Sequence, residues 1–448
     1  MIKKNLLLLC LLLTGCCRFS SDPCYAIQEV EEEICLRSGN EILSYDPNPC
    51  WFDEKLQEPL DLDGAIQITL LNNPRMQALY CELGISQAEL MQAGLFKNPI
   101  FSFSARYENL TNAASIIEMG LMQNFLDILL KPQKIRLAKE ELNRVKAHVE
   151  ATILDIIWET KRAFWALDAA QKRLLVQEDI LEASELAFDA AKRLREAGNI
   201  TRMELGVEEA FFVELVTKVS SAKNAVINAR EDLQALLGFC EPTQWQIEKT
   251  PLEIDPCLPD LDCLAFEALS NSLDLRMLWQ EMRITSLSYG IQIQETVVPE
   301  FSLGPDSEKE PEGTWFVGPA FSIGVPLFDF GLAKSAEGRS TLYKLGWDYQ
   351  AKVLEIRKQA NKARFSLKTA WENFTQAKEA ILPANERVFH ETHLQFNAMQ
   401  LGVIELLKMK QTELNTQLMA IDFFANYQNL KADVEKLQSG RMLTGGGL

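Results

Sequence analysis

Histidine is scarce, proline is confined, and long apolar runs are nearly absent from this chain. Only His148, His390 and His393 occur among 448 residues. His390 and His393 are three apart on a predicted helix and lack the i, i+4 spacing of a zincin helix. No glycine-rich phosphate loop and no nucleophile elbow is present, so no catalytic constellation can be assembled. Beyond the first 15 residues there is no run of about 20 apolar residues, which excludes a transmembrane helix from the mature chain. Basic residues are outnumbered, 45 Lys and Arg against 63 Asp and Glu, for a net charge of −18. A nucleic-acid partner is thereby disfavoured, because phosphate neutralisation needs clustered cations. No proline stands between Pro132 and Pro242, and only Pro383 follows Pro326. Such proline-free, Ala-, Leu-, Glu- and Lys-rich stretches read as long helices. With 47% hydrophobic and 24% charged residues the chain is foldable throughout, but not as one compact enzyme domain.

The first 15 residues have the layout of a secretory leader: Lys3 and Lys4, then the short apolar stretch Leu6 to Leu13. They end in Leu13-Thr14-Gly15-Cys16, which resembles the bacterial lipobox. That resemblance implies cleavage before Cys16 and a covalent lipid on it, the only prosthetic group expected; a plain cleaved signal is the alternative. Loss of the leader's two lysines takes the charge from −18 to −20. Eight cysteines remain beyond Cys16. An exported chain meets an oxidising compartment, so disulfides are allowed. Cys240, Cys257 and Cys263 share one linker and are candidates for local pairing; free thiols, or links to neighbouring envelope proteins, are the other readings.

Self-comparison shows one unit used twice. Asp61-Leu62-Asp63 returns as Asp260-Leu261-Asp262, Asn72 as Asn271, Pro99 with Phe101 and Ser102 as Pro299 with Phe301 and Ser302, and Phe188 as Phe389. The organisation is a leader (1–15), a cysteine-bearing segment (16–59), a first repeat (60–239), a Pro/Cys linker (240–260), a second repeat (261–440) and a Gly-rich tail (441–448). Each repeat opens with a helix, 62–96 in the first. Each then alternates with period two, giving β-hairpins at 98–125 and 298–327. Phe101, Phe103, Ala105 and Tyr107 share one face of the first hairpin; Trp315, Val317, Phe321 and Ile323 share one of the second. The third strand, near Pro299 to Gly304, reads as short, with Asp306 to Gly313 as an acidic loop. Long helices follow at 130–197 and 201–238, then at 329–400 and 404–437. At about 1.5 Å per residue the first spans roughly 100 Å. On 201–238, Val219, Ala222, Val226, Ala229, Leu233 and Leu236 keep the spacing of coiled-coil packing.

A soluble hairpin turns its apolar face onto its own helices; a membrane hairpin turns it to lipid and its small, polar face to a lumen. Four strands cannot close a membrane barrel, whose minimum is about eight, so the membrane reading requires several chains to share one barrel.

In this frame, Leu62-Asp63-Gly64-Ala65, Asn72-Asn73-Pro74, Asn98-Pro99, Arg195-Glu196-Ala197-Gly198-Asn199, Gly318-Pro319-Ala320, Val325 to Gly331 and Leu401-Gly402-Val403 together resemble the outer-membrane efflux protein (TolC) family, in a lipoprotein-type member. The resemblance implies a mainly α fold with a β-barrel contribution. It implies a homotrimer whose twelve strands close one barrel in the outer membrane of a Gram-negative-type envelope, above a periplasmic helical tube. It further implies a non-enzymatic export duct serving a periplasmic adaptor protein and an inner-membrane transporter, in efflux or type I secretion. The barrel's lipid face falls on Phe101, Phe103, Tyr107, Trp315, Val317, Phe321 and Ile323; Trp315, Tyr107 and Phe316 are candidates for an interfacial aromatic belt, with packing inside the barrel wall as the alternative. The turns at Ala197, Gly198 and Asn199 and at Leu401, Gly402 and Val403 become adaptor-contact tips, each glycine supplying a positive φ; a purely structural turn is the alternative. Glu405, Lys408 and Glu204 border the narrow entrance, where Lys408 replaces an acid common in the family; a solvated charge at a helix start is the other reading of Glu405. The competing class is a lipid-anchored periplasmic coiled-coil scaffold without a pore.

Overall fold

The computed structural model describes residues 24–39, 55–56, 58–107, 116–239 and 245–443. The expected leader, the expected lipid-attachment residue Cys16 and Cys240 lie outside the described residues. The chain divides into two compact units. One comprises Leu79–Val149 and Leu275–Lys352 with the residues up to Val30; the other comprises Glu31–Ala78, Glu150–Asp274 and Val353–Leu448.

The elements are α1 (Cys24–Ser38), α2 (Leu62–Asn72), α3 (Pro74–Ala93), β1 (Ile100–Arg106), β2 (Ile116–Asn124), α4 (Phe125–Glu196) and α5 (Arg202–Leu237). The second repeat gives α6 (Leu264–Ser270), α7 (Leu273–Val297), β3 (Phe301–Lys309), β4 (Trp315–Ile323), α8 (Leu332–Gln376), a π-helical turn (Ala377–Ile381), α9 (Leu382–Asn397) and α10 (Val403–Gln438). The protein is mainly helical, with four strands among the described residues.

Several boundaries correct the sequence reading. The opening helix is two, because Pro74 drives Asn73 to an extended backbone (φ −70°, ψ 123°). Asp61 caps the first piece, its carboxylate accepting from Gly64 N at 2.9 Å, and Asn73 Oδ1 accepts from Arg75 N at the start of the second. The third strand is not short: β3 has nine residues and carries Asp306 and Glu308 within its ladder. The acidic composition concealed a strand whose side chains alternate between faces, and only Glu310 to Thr314 form the turn.

In the first unit a single antiparallel sheet runs in the order β1-β2-β3-β4. Below it α4 and α7 are joined by Leu126, Leu130 and Ile291 and by ion pairs Lys134–Glu295 (2.9 Å) and Arg283–Glu140 (2.6 Å).

The second unit is an assembly of helices. Phe164, Leu167, Leu233, Leu237 and Trp245 form one core cluster, and Ile180, Leu215 and Leu414 another. On α5 the six coiled-coil positions from Val219 to Leu236 are all buried or half-buried. The duplication reappears as atomic detail. Asn72 Nδ2 donates to Leu237 O at 2.8 Å at the end of α5, and Asn271 Nδ2 to Gln438 O at 2.9 Å at the end of α10. Arg37 of α1 adds donations to the carbonyls of Asn271 (2.8 Å) and Ser439 (3.0 Å), tying the cysteine-bearing segment to the second of these junctions.

Candidate functional site

The sheet's register sorts its side chains by chemistry. Phe101 faces Leu121, Phe103 faces Met119 and Ala105 faces Ile117 across β1 and β2. Phe301 faces Ile323, Leu303 faces Phe321, Ser307 faces Val317 and Lys309 faces Trp315 across β3 and β4. Cross-strand partners share a face, so these odd-numbered positions make one nearly continuous apolar surface. Phe101, Phe103, Trp315, Val317, Phe321 and Ile323 are all exposed on it, Val317 at 75%. Tyr107 lies just past β1 and is also exposed. The even-numbered face carries Ser102, Ser104, Glu118, Gly120, Asp306, Glu308, Gly318 and Ser322. Phe316 is on this polar face, opposite to Trp315. Both edge strands, β1 and β4, lack an outer partner among the described residues.

The hairpin tips belong to the second unit. Helix α4 ends with Gly198 at φ +79°, where Asn199 N donates back to Leu194 O at 2.8 Å. Thr201 then caps α5 in a reciprocal box: Glu204 N donates to Thr201 Oγ1 at 3.2 Å, and Thr201 N to Glu204 Oε2 at 2.6 Å. The second tip differs from the expectation. Gly402 is extended (φ −79°, ψ 161°), and the positive φ falls on Met399 (+57°), which is 94% exposed. In the turn geometry Gly402 corresponds to Thr201 and Met399 to Gly198. A glycine was expected at the left-handed position, and methionine holds it instead because Gln400 N closes the same turn onto Gln395 O at 2.9 Å. A Cβ on Gly402 would lie 2.5 Å from Glu405 Oε2, so this carboxylate folds back over the start of α10. Ala197, Asn199, Leu401 and Val403 flank these two turns.

Of the residues expected at the entrance, Glu204 is held below the usual carboxylate range by the Thr201 backbone N–H and hydroxyl, with the Lys408 charge adding to them. Lys408 also binds Glu208 Oε1 at 3.2 Å, and Glu208 is only 5% exposed. Glu208 was missed in the sequence, although it stands one helical turn after Glu204. The cation that replaces an acid of the resemblance thus has a defined role: it joins the start of α10 to α5.

A second polar cluster was invisible in the sequence. At the base of the sheet, burial raises Asp127, but hydrogen bonds from Lys134 (2.7 Å) and Lys97 (2.8 Å) more than offset it and hold its carboxyl low. Lys134 is correspondingly raised: desolvation opposes its charge, and Asp127 and Glu295 outweigh it. Cys257 and Cys263 are separate, exposed thiols, and His393 stacks on Phe389 at 6.4 Å.

Comparison with known proteins gives a consistent picture. Residues 65–239 match the family described as outer membrane efflux protein. The cobalt-zinc-cadmium resistance protein CzcC of Cupriavidus metallidurans is 20% identical over 368 residues, 81% of this chain and 85% of that relative. The open-state MtrE outer membrane channel of Neisseria gonorrhoeae superposes with TM-score 0.70 at 17% identity, covering 86% of this chain and 91% of that one. The outer membrane protein VceC of Vibrio cholerae superposes with TM-score 0.67 at 13% identity, covering 89% and 100%.

Proposed function

We propose that this chain, whose residues 65–239 match the outer membrane efflux protein family, is one third of an export duct: a homotrimer that closes a single twelve-stranded barrel in the outer membrane and conducts cargo passively. The observation that carries this reading is the sheet. Most of its large apolar side chains share one face, most of its small and polar ones the other, with Phe316 an exception, and both edges lack partners among the described residues. A large exposed apolar surface on a four-stranded open sheet needs both lipid and neighbouring strands. The chain is not an enzyme.

The finer assignments follow from that reading. Energy comes from an inner-membrane transporter through a periplasmic adaptor, which docks on the tips at Ala197, Gly198 and Asn199 and at Leu401, Gly402 and Val403. Glu204, Glu405 and Lys408 line the entrance, and a lipid on Cys16 anchors the N-terminus. Selectivity rests on bore and wall charge rather than on a tight binding site.

Purified protein reconstituted in a planar bilayer tests the duct. Discrete single-channel openings are expected; a lipid-anchored scaffold would give none, and their absence would decide for it.

A further inference from the structure

Between the end of α3, the connector after it and the first turns of α4 lies a cavity of about 220 Å³. Three lysines line it, Lys97, Lys131 and Lys134, against one carboxylate, Asp127; Leu95, Phe96 and Ile128 form its apolar side. Lys134 is shared between Asp127 and Glu295, and Lys97 reaches Asp127 with 69% of its side chain exposed. Lys131 lies 3.5 Å from the Phe96 ring centroid and meets no carboxylate among the described residues. Counting Glu295, three ammonium groups face two carboxylates, so one positive charge is left uncompensated.

The cavity sits where the sheet's apolar band stops. Lys97 precedes the first residue of β1 by three positions, and α4 begins directly after β2. Gln123 of β2 donates to the Lys97 carbonyl at 3.1 Å and fixes the connector against the sheet. A nine-residue strand tilted by roughly 40° spans about 23 Å, close to the apolar height of outer-membrane barrels. The hydrocarbon therefore ends near Ile100 and Asn124, and the lysines just beyond fall at the headgroup level. Around them Leu95, Phe96 and Leu129 are exposed, Leu129 at 73%. Exposed apolar groups beside ammonium groups are the usual pattern for a membrane interface.

We propose that this cavity binds the phosphate of an anionic glycerophospholipid, with Lys131 and Lys97 on the phosphate oxygens and Leu95, Phe96 and Leu129 against the acyl chains. The inference rests on the sheet's being membrane-spanning. A headgroup of net negative charge matches the spare positive charge, whereas a zwitterionic one brings its own cation towards the lysines. The volume is below the roughly 300 Å³ at which pockets for drug-sized ligands begin, which suits a headgroup rather than a whole lipid.

Native mass spectrometry of the full chain in detergent, titrated with phosphatidylglycerol or phosphatidylcholine of matched acyl chains, tests the site. Phosphatidylglycerol adducts are expected to dominate. Lys131→Gln should weaken them about fivefold, Lys97→Gln with Lys131→Gln should weaken them further, and Lys131→Arg should preserve them. Equal binding of the two lipids, or a preference unmoved by the double substitution, would overturn the proposal, as would displacement of the lipid by an equal concentration of inorganic phosphate. Planar-bilayer recordings run in parallel separate the two levels. Wild-type channels without lipid preference sink only the site; no channels at all sink the membrane reading beneath it.

Discussion

Gly238 and Gly440 occupy the same place in the two repeats, and each is there for two reasons. Both have left-handed backbones, φ +78° and +93°, and a Cβ on either would overlap the carbonyl oxygen of Asn72 or Asn271. Ala at Gly440 combines backbone strain with overpacking, together about 2–4 kcal/mol. Gly440→Ala should lower the thermal midpoint of the purified chain by circular dichroism. Gly206→Ala, in a helix with open space at its Cβ, should stabilise the fold by about 0.5–1 kcal/mol and raise the midpoint slightly. The pairing of Asn72 with Asn271 was visible in the sequence as a repeated letter; its work as a clamp on a helix end was not, because the clamped residues lie some 165 positions away. Buried charge gives the second residue-scale test. Asp433 is 5% exposed, and burial pushes its carboxyl up despite Arg162 and Lys436 nearby. A raised carboxylate means the folded state holds its proton longer than the unfolded one, so stability falls as pH rises past the ordinary carboxylate range. Asp127, held low, has the opposite sign: its contribution is present at neutral pH and lost as pH falls through its own lowered value. Asp433→Asn should therefore raise the thermal midpoint at pH 7, with the gain shrinking towards pH 3. A midpoint shift that is the same at both pH values would remove the argument.

At the scale of elements, the sheet was legible where alternation was apolar and illegible where it was charged. Phe101 to Tyr107 and Trp315 to Ile323 announced their faces; Pro305-Asp306-Ser307-Glu308 concealed a strand because its even-numbered residues are acids and its odd-numbered ones small. The faces can be tested against each other. Lys at position 317 would put a cation on the apolar face, costing about 2–4 kcal/mol at a bilayer midplane. Val317→Lys should abolish channel formation, whereas Gly318→Lys, on the polar face with open space, should insert normally and alter ion selectivity. A second difference between repeats also has a local cause. Helix α4 runs unbroken, but its counterpart carries a π-helical turn just before Pro383, where Leu382 N donates five residues back to Ala377 O. Proline has no N–H and its ring presses on the preceding turn, and the widened turn relieves that clash. The tip of this second arm is tied to the first by Lys408 and Glu208. Lys408 is half exposed, so the tie is worth about 1 kcal/mol rather than the full value of a buried pair. Lys408→Gln should loosen the contact between α10 and α5 and raise single-channel conductance; unchanged conductance would separate this pair from the entrance.

For the molecule as a whole, the duplication was the most informative signal, since it set two hairpins per chain and thereby forbade a barrel of one chain. What the sequence could not contain is the order in which the hairpins join. The structure places β2 beside β3, which leaves β1 and β4 as the two edges of each chain. Four alternating strands make those edges run in opposite directions, so in the proposed ring β4 of one copy would meet β1 of the next in an antiparallel ladder. Contacts of this head-to-tail kind generate a ring when the rotation closes, and an even strand count lets every junction in the ring be the same. The order predicts a specific cross-linking result. A cysteine replacing Ser102 on β1, combined with one scanned over Gly318, Ala320 and Ser322 on β4, should give covalent dimers and trimers under oxidation, at the one position in register. Cysteines confined to β2 and β3 should give none, because those strands already have both partners within their own chain. Ladders from β2 and β3, or only monomers from every edge combination, would show that the sheet closes in some other way.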